Sequence, residues 1–378
     1  MKKRLIIYIP LISLLLTICI SARDIPHEIT EGIDTELDNF QSSLPDFVKD
    51  FFESNTQDEK GTILDSQISE KSLLTVIIDY LTAGIGQVLK GFSSILLLLI
   101  ISGIFNTFKS SVLGADVGFS FSVCSALSIS LCVFNICTRL TSTVIKYTKS
   151  LSGAMNAFVP IMVGISIMSG STSGAVASNS SMLLFISLVD SFLVKFMMPL
   201  VTICLCFGCV GVLSSSCDFG GISKTVKTTF SSVTVFVMSV FMFVFSFKSK
   251  IASGSDSLSL KTARFAISSF VPLVGASVND ALKTVTAGLS LIKTTCGSVG
   301  IISIIVLMMP VIVNLFLNKI SFSLLSSLSK MLGLEKEGAI LSEADSICGF
   351  LLTIVSCTCV LFIIALTIFI STGVEATL

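Results

Sequence analysis

Four charged residues stand where so apolar a chain can least accommodate them. Asp190 and Lys195 interrupt the apolar stretch 176–214, and Asp280 and Lys283 sit three residues apart among apolar neighbours. A charge inside a membrane segment is costly and marks ion pathways, relays or counter-ions. At a spacing of three, Asp280 and Lys283 can pair on one helix face. The plainer reading of each is a boundary residue whose stem snorkels to water. Asp190 is the one acid deep in an apolar span, whereas an intramembrane aspartyl protease needs two.

Other chemistry is scarce. His27 is the single histidine, so no two-histidine metal site can form and a Ser/His/Asp triad would have to use it. No P-loop and no strand-borne glycine motif for a nucleotide occurs. Cys204, Cys206 and Cys209 approach metal-ligand spacing, but their neighbours Ile203, Leu205, Phe207 and Val210 are apolar and no carboxylate or imidazole is near. They read as small packing residues of a membrane helix. The expectation is a protein that is not an enzyme and holds no cofactor.

The elements that must position these residues follow from composition. The 378 residues are 52% hydrophobic and 13% charged, with a mean hydropathy of +0.96. Soluble domains carry about 25% charged residues, so the fold class is an all-α polytopic membrane protein. Lys plus Arg and Asp plus Glu are both 24, which leaves no basic face for nucleic acid.

Met1–Ala22 reads as a signal peptide, with Lys2, Lys3 and Arg4 before an apolar core. Residues 23–71 hold 13 acidic and 4 basic residues, a net of −9, whereas the chain beyond 71 is +6. In this acidic region Ile33, Leu37, Phe40, Leu44, Phe47 and Phe51 recur at helical spacing, with Pro45 dividing the run. It reads as a small helical extracytoplasmic region, either a docking surface or a solvated spacer. Residues 72–90 read as an amphipathic interfacial helix, and 91–378 as the membrane domain.

Candidate spans are 92–108, 117–138, 151–170, 176–194, 196–214, 228–247, 299–318 and 349–371, about seven to eight transmembrane helices. Strict alternation of eight would put Arg139, Lys146, Lys149 and the basic stretch 248–293 on the same side as the acidic region, against the positive-inside rule. One segment must therefore be miscounted or re-entrant, and 73–90 and 176–194 are the first suspects. Residues 251–298 mix Lys261, Arg264, Asp280, Lys283 and Lys293 with Pro272 and fit neither loop nor plain span. Residues 319–347 are amphipathic and end in the acidic run Glu335–Asp345.

An internal repeat is expected. Phe158-Val159-Pro160 recurs as Phe270-Val271-Pro272, and Met197-Met198-Pro199 recurs as Met308-Met309-Pro310. The repeats would be 117–227 and 228–338, each a span, a Pro-broken segment and a Pro-bearing helix, before the final span 349–371. Proline in a membrane helix frees a backbone carbonyl, so its placement is costly and does not recur idly.

Leu260-Lys261-Thr262-Ala263-Arg264-Phe265, then Phe270-Val271-Pro272-Leu273-Val274-Gly275 and Asn279-Asp280-Ala281, resemble the signature region of the stage III sporulation protein AE family. Val159-Pro160, Ser169-Gly170-Ser171-Thr172-Ser173-Gly174-Ala175-Val176 and Met198-Pro199-Leu200-Val201 resemble it too, and the order of parts agrees along essentially the whole chain. The resemblance implies a multi-pass protein of the mother-cell membrane surrounding the forespore. It implies a non-enzymatic subunit of a trans-envelope, secretion-like channel complex needed for late forespore development. Its partners would be other stage III sporulation membrane proteins, including a separate ATPase and ring-forming subunits, besides the lipid bilayer. The alternative from the broken, charge-bearing segments is a self-contained secondary transporter.

If Asp280 and Lys283 pair away from water, removing one leaves the other unpaired, at a cost on the order of 3–5 kcal/mol. Asp280→Asn and Lys283→Gln should each lower the detergent-solubilised protein's thermal stability more than the double variant does. Equal, small shifts in all three would show the two to be exposed.

Overall fold

A computed structural model describes residues 40, 42–54, 70–109, 115–168, 172–191, 195–213, 219–270 and 275–371. Met1–Ala22 and most of the acidic region lie outside them. The elements are α1 (Asp46–Ser54), α2 (Glu70–Lys109), α3 (Ala115–Met168), α4 (Thr172–Val189), α5 (Lys195–Leu213), α6 (Phe219–Phe270), α7 (Gly275–Met331) and α8 (Glu335–Ser371). The described residues contain no strand. Among the described residues six helices are long and apolar enough to cross a membrane, and Pro199–Gly208 in α5 is a shorter apolar helix.

Several expected boundaries move. Segments 117–138 and 151–170 are not two spans: α3 is unbroken over 54 residues, about 80 Å. Pro160 lies inside α3 without breaking it. The amphipathic stretch 72–90 is continuous with span 92–108 in α2. Residues 251–270 complete α6, and 275–298 begin α7.

α7 and α8 form the most extensive helix pair, closed by a turn held by local hydrogen bonds and by Asn106 Nδ2 of α2, which donates to the Gly333 carbonyl at 3.5 Å. Gly333 has φ of 72°. Its N–H donates to the Lys330 carbonyl at 3.1 Å, and Leu334 N–H donates to the Ser329 carbonyl at 3.0 Å. This is a Schellman cap, in which a glycine takes the left-handed position without steric cost. Ser329 Oγ adds a bond to the Leu334 carbonyl at 2.7 Å. Glu335 and Glu337 in the first turn of α8 suit the positive end of its dipole.

Close contacts fix the direction of every crossing. On α2, Gly84 faces Leu317 and Val313, and Gly103 faces Leu332, so α2 runs parallel to α7. α3 descends from the turn end: Ser125 reaches Glu337, and Phe158 meets α7 at Gly300. α6 descends beside it, with Ser223 near Glu343 and Phe230 near Phe350.

Segments 176–194 and 196–214 do not reverse between them. In α4, Phe185 stacks near Phe241 of α6 and Phe362 of α8. In α5, Cys204 lies at Ser223 and Gly208 at Glu343. These partners are about 27 Å apart along α6 and α8, which is what the intervening residues would span as one helix. α4 and α5 therefore run in one direction, with a wider turn at 190–191, and count as one candidate crossing. With α3 counted once, the described helices make six candidate crossings.

The two stretches expected as repeats each contain a descending helix followed by an ascending one. The ascending one carries a wider turn at 190–191 in the first stretch and is one α-helix in the second. Pro199 lies near the start of α5 and Pro310 inside α7, while Pro272 falls outside the described residues. A duplication relating the stretches has to include that wider turn.

The acidic region is tied to this bundle. Phe40, Leu44, Val48 and Phe51 are buried in the main core. Phe40 packs on Phe158 with ring centroids 5.0 Å apart, and Phe47 on Tyr147 at 6.2 Å. The described part of the apolar stripe, from Phe40 to Phe51, packs on this chain itself.

Reporter fusions after residues 112 and 216 should lie on one side of the membrane, and fusions after 170, 273 and 374 on the other. Opposite sides for 112 and 216 would mean that α4 and α5 reverse after all.

Candidate functional site in the membrane-embedded charges

Three charge-free runs define a common depth. Residues 228–247 of α6, 299–318 of α7 and 349–371 of α8 carry no Asp, Glu, Lys or Arg. They lie side by side: Phe230 meets Phe350, and Gly300 faces Leu366. At this depth α6 exposes Val233, Phe236, Val240, Phe243 and Phe247, a face suited to lipid.

Just outside this depth, at the turn end, the start of α8 binds four helices through carboxylates. Glu337 is buried and accepts from Ser125 Oγ of α3 at 2.9 Å, and Ser125 shares a short hydrogen bond with Ser102 of α2. Glu343 Oε1 accepts from Lys227 Nζ of α6 at 2.6 Å and from Ser223 Oγ. Lys227 also donates to Ser346 Oγ at 3.0 Å. Asp345 accepts from Lys319 Nζ of α7 at 2.9 Å. The Lys227 and Glu343 side chains are 6% and 16% exposed, so each ion needs the other. A β-carbon at Gly208 would come within 2.6 Å of the Glu343 side chain, so the glycine lets α5 approach.

Asp190 sits at the end of α4, in a wider turn over 190–191. Its Oδ1 accepts from Ser152 Oγ of α3 at 2.9 Å. Lys195 opens α5 beyond that turn and is exposed. A carboxylate at the end of a helix, at bilayer depth, is an arrangement that can hold a cation or a proton. The structure thus brings Asp190 and Ser152 together and places Lys195 one short segment away.

Lys261 and Arg264 belong to the end of α6, and Asp280 and Lys283 to the start of α7. Their side chains fall outside the described residues, as does Pro272. Lys293, buried in α7, lies 5.8 Å over the Phe369 ring, where a cation gains from the ring's negative face.

Sequence reasoning missed two sets of residues. The first is the carboxylate cluster: Glu337, Glu343 and Asp345 read as an acidic run, and their partners lie 26 to 212 residues away. The second is the exposed face of α3. Asn135, Arg139, Ser142, Lys146, Lys149 and Asn156 are all exposed and recur at spacings of three, four and seven. Arg139, Lys146 and Lys149 entered the reading only as an objection to a topology. Their helical spacing was the available signal.

Lys227→Met should destabilise the protein by on the order of 3–5 kcal/mol, by stranding Glu343. Adding Glu343→Met should restore much of the loss, measured as the temperature at which detergent-solubilised protein aggregates. A double variant as weak as the single would show that no coupling exists.

No solved structure matches this chain. Residues 55–373 match the family model described as stage III sporulation protein AE. The chain is similar to stage III sporulation protein AE of Bacillus subtilis (strain 168), at 21% identity over 254 residues. That alignment covers 65% of this chain and 63% of the relative, just under two thirds of its length. With a match spanning most of its length, the chain belongs to the stage III sporulation protein AE family.

Proposed function

We propose that the chain is a non-enzymatic membrane subunit of a trans-envelope sporulation complex that connects mother cell and forespore. Family membership supports a role in sporulation, and the apolar helices support a multi-pass membrane protein. The match over residues 55–373 carries the reading. In it, the protein sits in the mother-cell membrane around the forespore, with the acidic region 23–71 on the extracytoplasmic side and its helix α1 dipping between the crossings from that side. It works there with other stage III sporulation membrane proteins, among them a separate ATPase and ring-forming subunits. The charges held between helices then serve assembly and passage, with energy supplied by a partner chain.

A secondary transporter is the second reading, favoured by one observation: α4 ends in a wider turn at a carboxylate that lies at bilayer depth and accepts from Ser152 of α3. The two differ in what Asp190 does. In a transporter, Asp190→Asn abolishes function while the protein still assembles with its neighbours. In a scaffold subunit, the same change is tolerated to within about twofold.

Deleting the gene should block sporulation after engulfment and leave vegetative growth intact, read as heat-resistant spore counts. Normal counts in the deletion strain would remove the proposed role.

A further inference from the structure

The bilayer-depth surface of this molecule has two chemically opposite sides. On one, α6 presents Phe236 and Phe243, 68% and 71% exposed. On the other, α3 presents the polar stripe that contains Arg139, Lys146 and Lys149. Depth is fixed by contacts at both ends of that stripe. Cys137 of α3 lies against Cys348 of α8, and Phe158 converges with Leu366 on Gly300. With a rise of about 1.5 Å per residue, Lys149 falls opposite the middle of the charge-free run 349–371. A lysine there is too far from either lipid–water boundary to snorkel.

A second observation puts water on the same side. Helix α1 packs beside the stripe through Phe47 on Tyr147, and Phe40 ahead of it packs on Phe158, so α1 lies at the same depth. Yet the Asp46 side chain of α1 is 99% exposed, and Asp50 is exposed as well. An unburied carboxylate on a helix at bilayer depth requires water around it.

We infer that the α3 stripe is the cationic wall of a water-filled passage at bilayer depth that takes anionic solutes. The stripe carries three cations and no acid between residues 135 and 156. The adjacent α1 adds Lys49, which pairs with Asp46, and Asp50. These groups sum to +2 (4 minus 2), and their potential concentrates anions and repels cations. α3 supplies one wall, and other chains of the assembly enclose the rest. In that respect the inference rests on the proposed role as a complex subunit.

The test uses membranes from sporulating cells that contain the whole complex. Gly153 lies on the exposed face of α3, and a β-carbon there would meet no atom within 4 Å. Gly153→Cys therefore adds a thiol and keeps all three cations; Lys149→Cys is a second probe. Phe236→Cys and Phe243→Cys mark the lipid-facing side, and Leu131→Cys marks α3 nearer the turn end. Modification by membrane-impermeant anionic and cationic thiosulfonates is read by mass spectrometry of each peptide, so native cysteines can stay. Gly153→Cys and Lys149→Cys should react while both phenylalanine positions stay protected. At Gly153→Cys the anionic reagent should react faster by on the order of tenfold, and adding Lys149→Gln should shrink that ratio.

Protection at both α3 positions would overturn the inference, because the stripe would then face lipid or protein. Labelling at Phe236→Cys with protection at Leu131→Cys would overturn it too, by moving the bilayer to the other level. Equal rates for the two reagents would overturn the preference for anions. The deletion phenotype is independent: normal spores with a labelled, anion-preferring stripe would remove the sporulation role and leave the passage.

Discussion

The α7–α8 hairpin is the constraint on which the rest of the bundle depends. Its turn needs a residue with positive φ at 333, and glycine supplies it. The cap satisfies the last carbonyls of α7 and sets α8 antiparallel beside it. That places Glu337, Glu343 and Asp345 within reach of α2, α3, α6 and α7. In a low-dielectric setting an unpaired carboxylate is costly, so each acid selects one partner and with it one register. Hydrophobic contact between membrane helices is poorly directional, because lipid is as apolar as leucine. The carboxylates supply the register that apolar surface cannot.

The second organising feature is a displacement between two parts of the molecule. The charge-free runs of α6, α7 and α8 coincide in depth. The charge-free runs of α2 and α3, residues 92–108 and 117–138, lie nearer the turn: Gly103 faces Leu332, and Ser125 bonds Glu337. A single flat slab cannot cover both levels, since each is about as tall as a bilayer core. This is why α3 has to be one long helix. It carries an apolar half past the start of α8 and a half with a cationic face past the charge-free runs. The same displacement explains why a count of apolar segments overestimates the crossings.

Much of the fold was legible in the sequence. Composition fixed an all-α membrane protein, because so few charges cannot cover a water-exposed surface. The apolar runs marked where helices lie. The conflict with the positive-inside rule pointed to a wrong segment count, and α4, which covers most of 176–194, runs in the same direction as α5. The error at α3 has a different cause. Arg139, Lys146 and Lys149 read as the ends of two spans because charges usually lie at membrane boundaries, whereas here they occupy one face of a continuous helix.

What is local or summed over many residues could be read from the chain alone: class, helix content, the acidic start and the resemblance to the family. Which charges meet came only from the packing of distant helices. Lys227 and Glu343 are 116 residues apart, and no periodicity links them, since each sits on its own helix among ordinary neighbours. The packing likewise sets the bond between Asp190 and Ser152 across 38 residues, and the burial of Phe40, Leu44, Val48 and Phe51 against their own chain. Periodicity shows that a helix has a polar face. Which surface that face meets is fixed by helix direction and depth, and those depend on contacts between residues far apart in the chain.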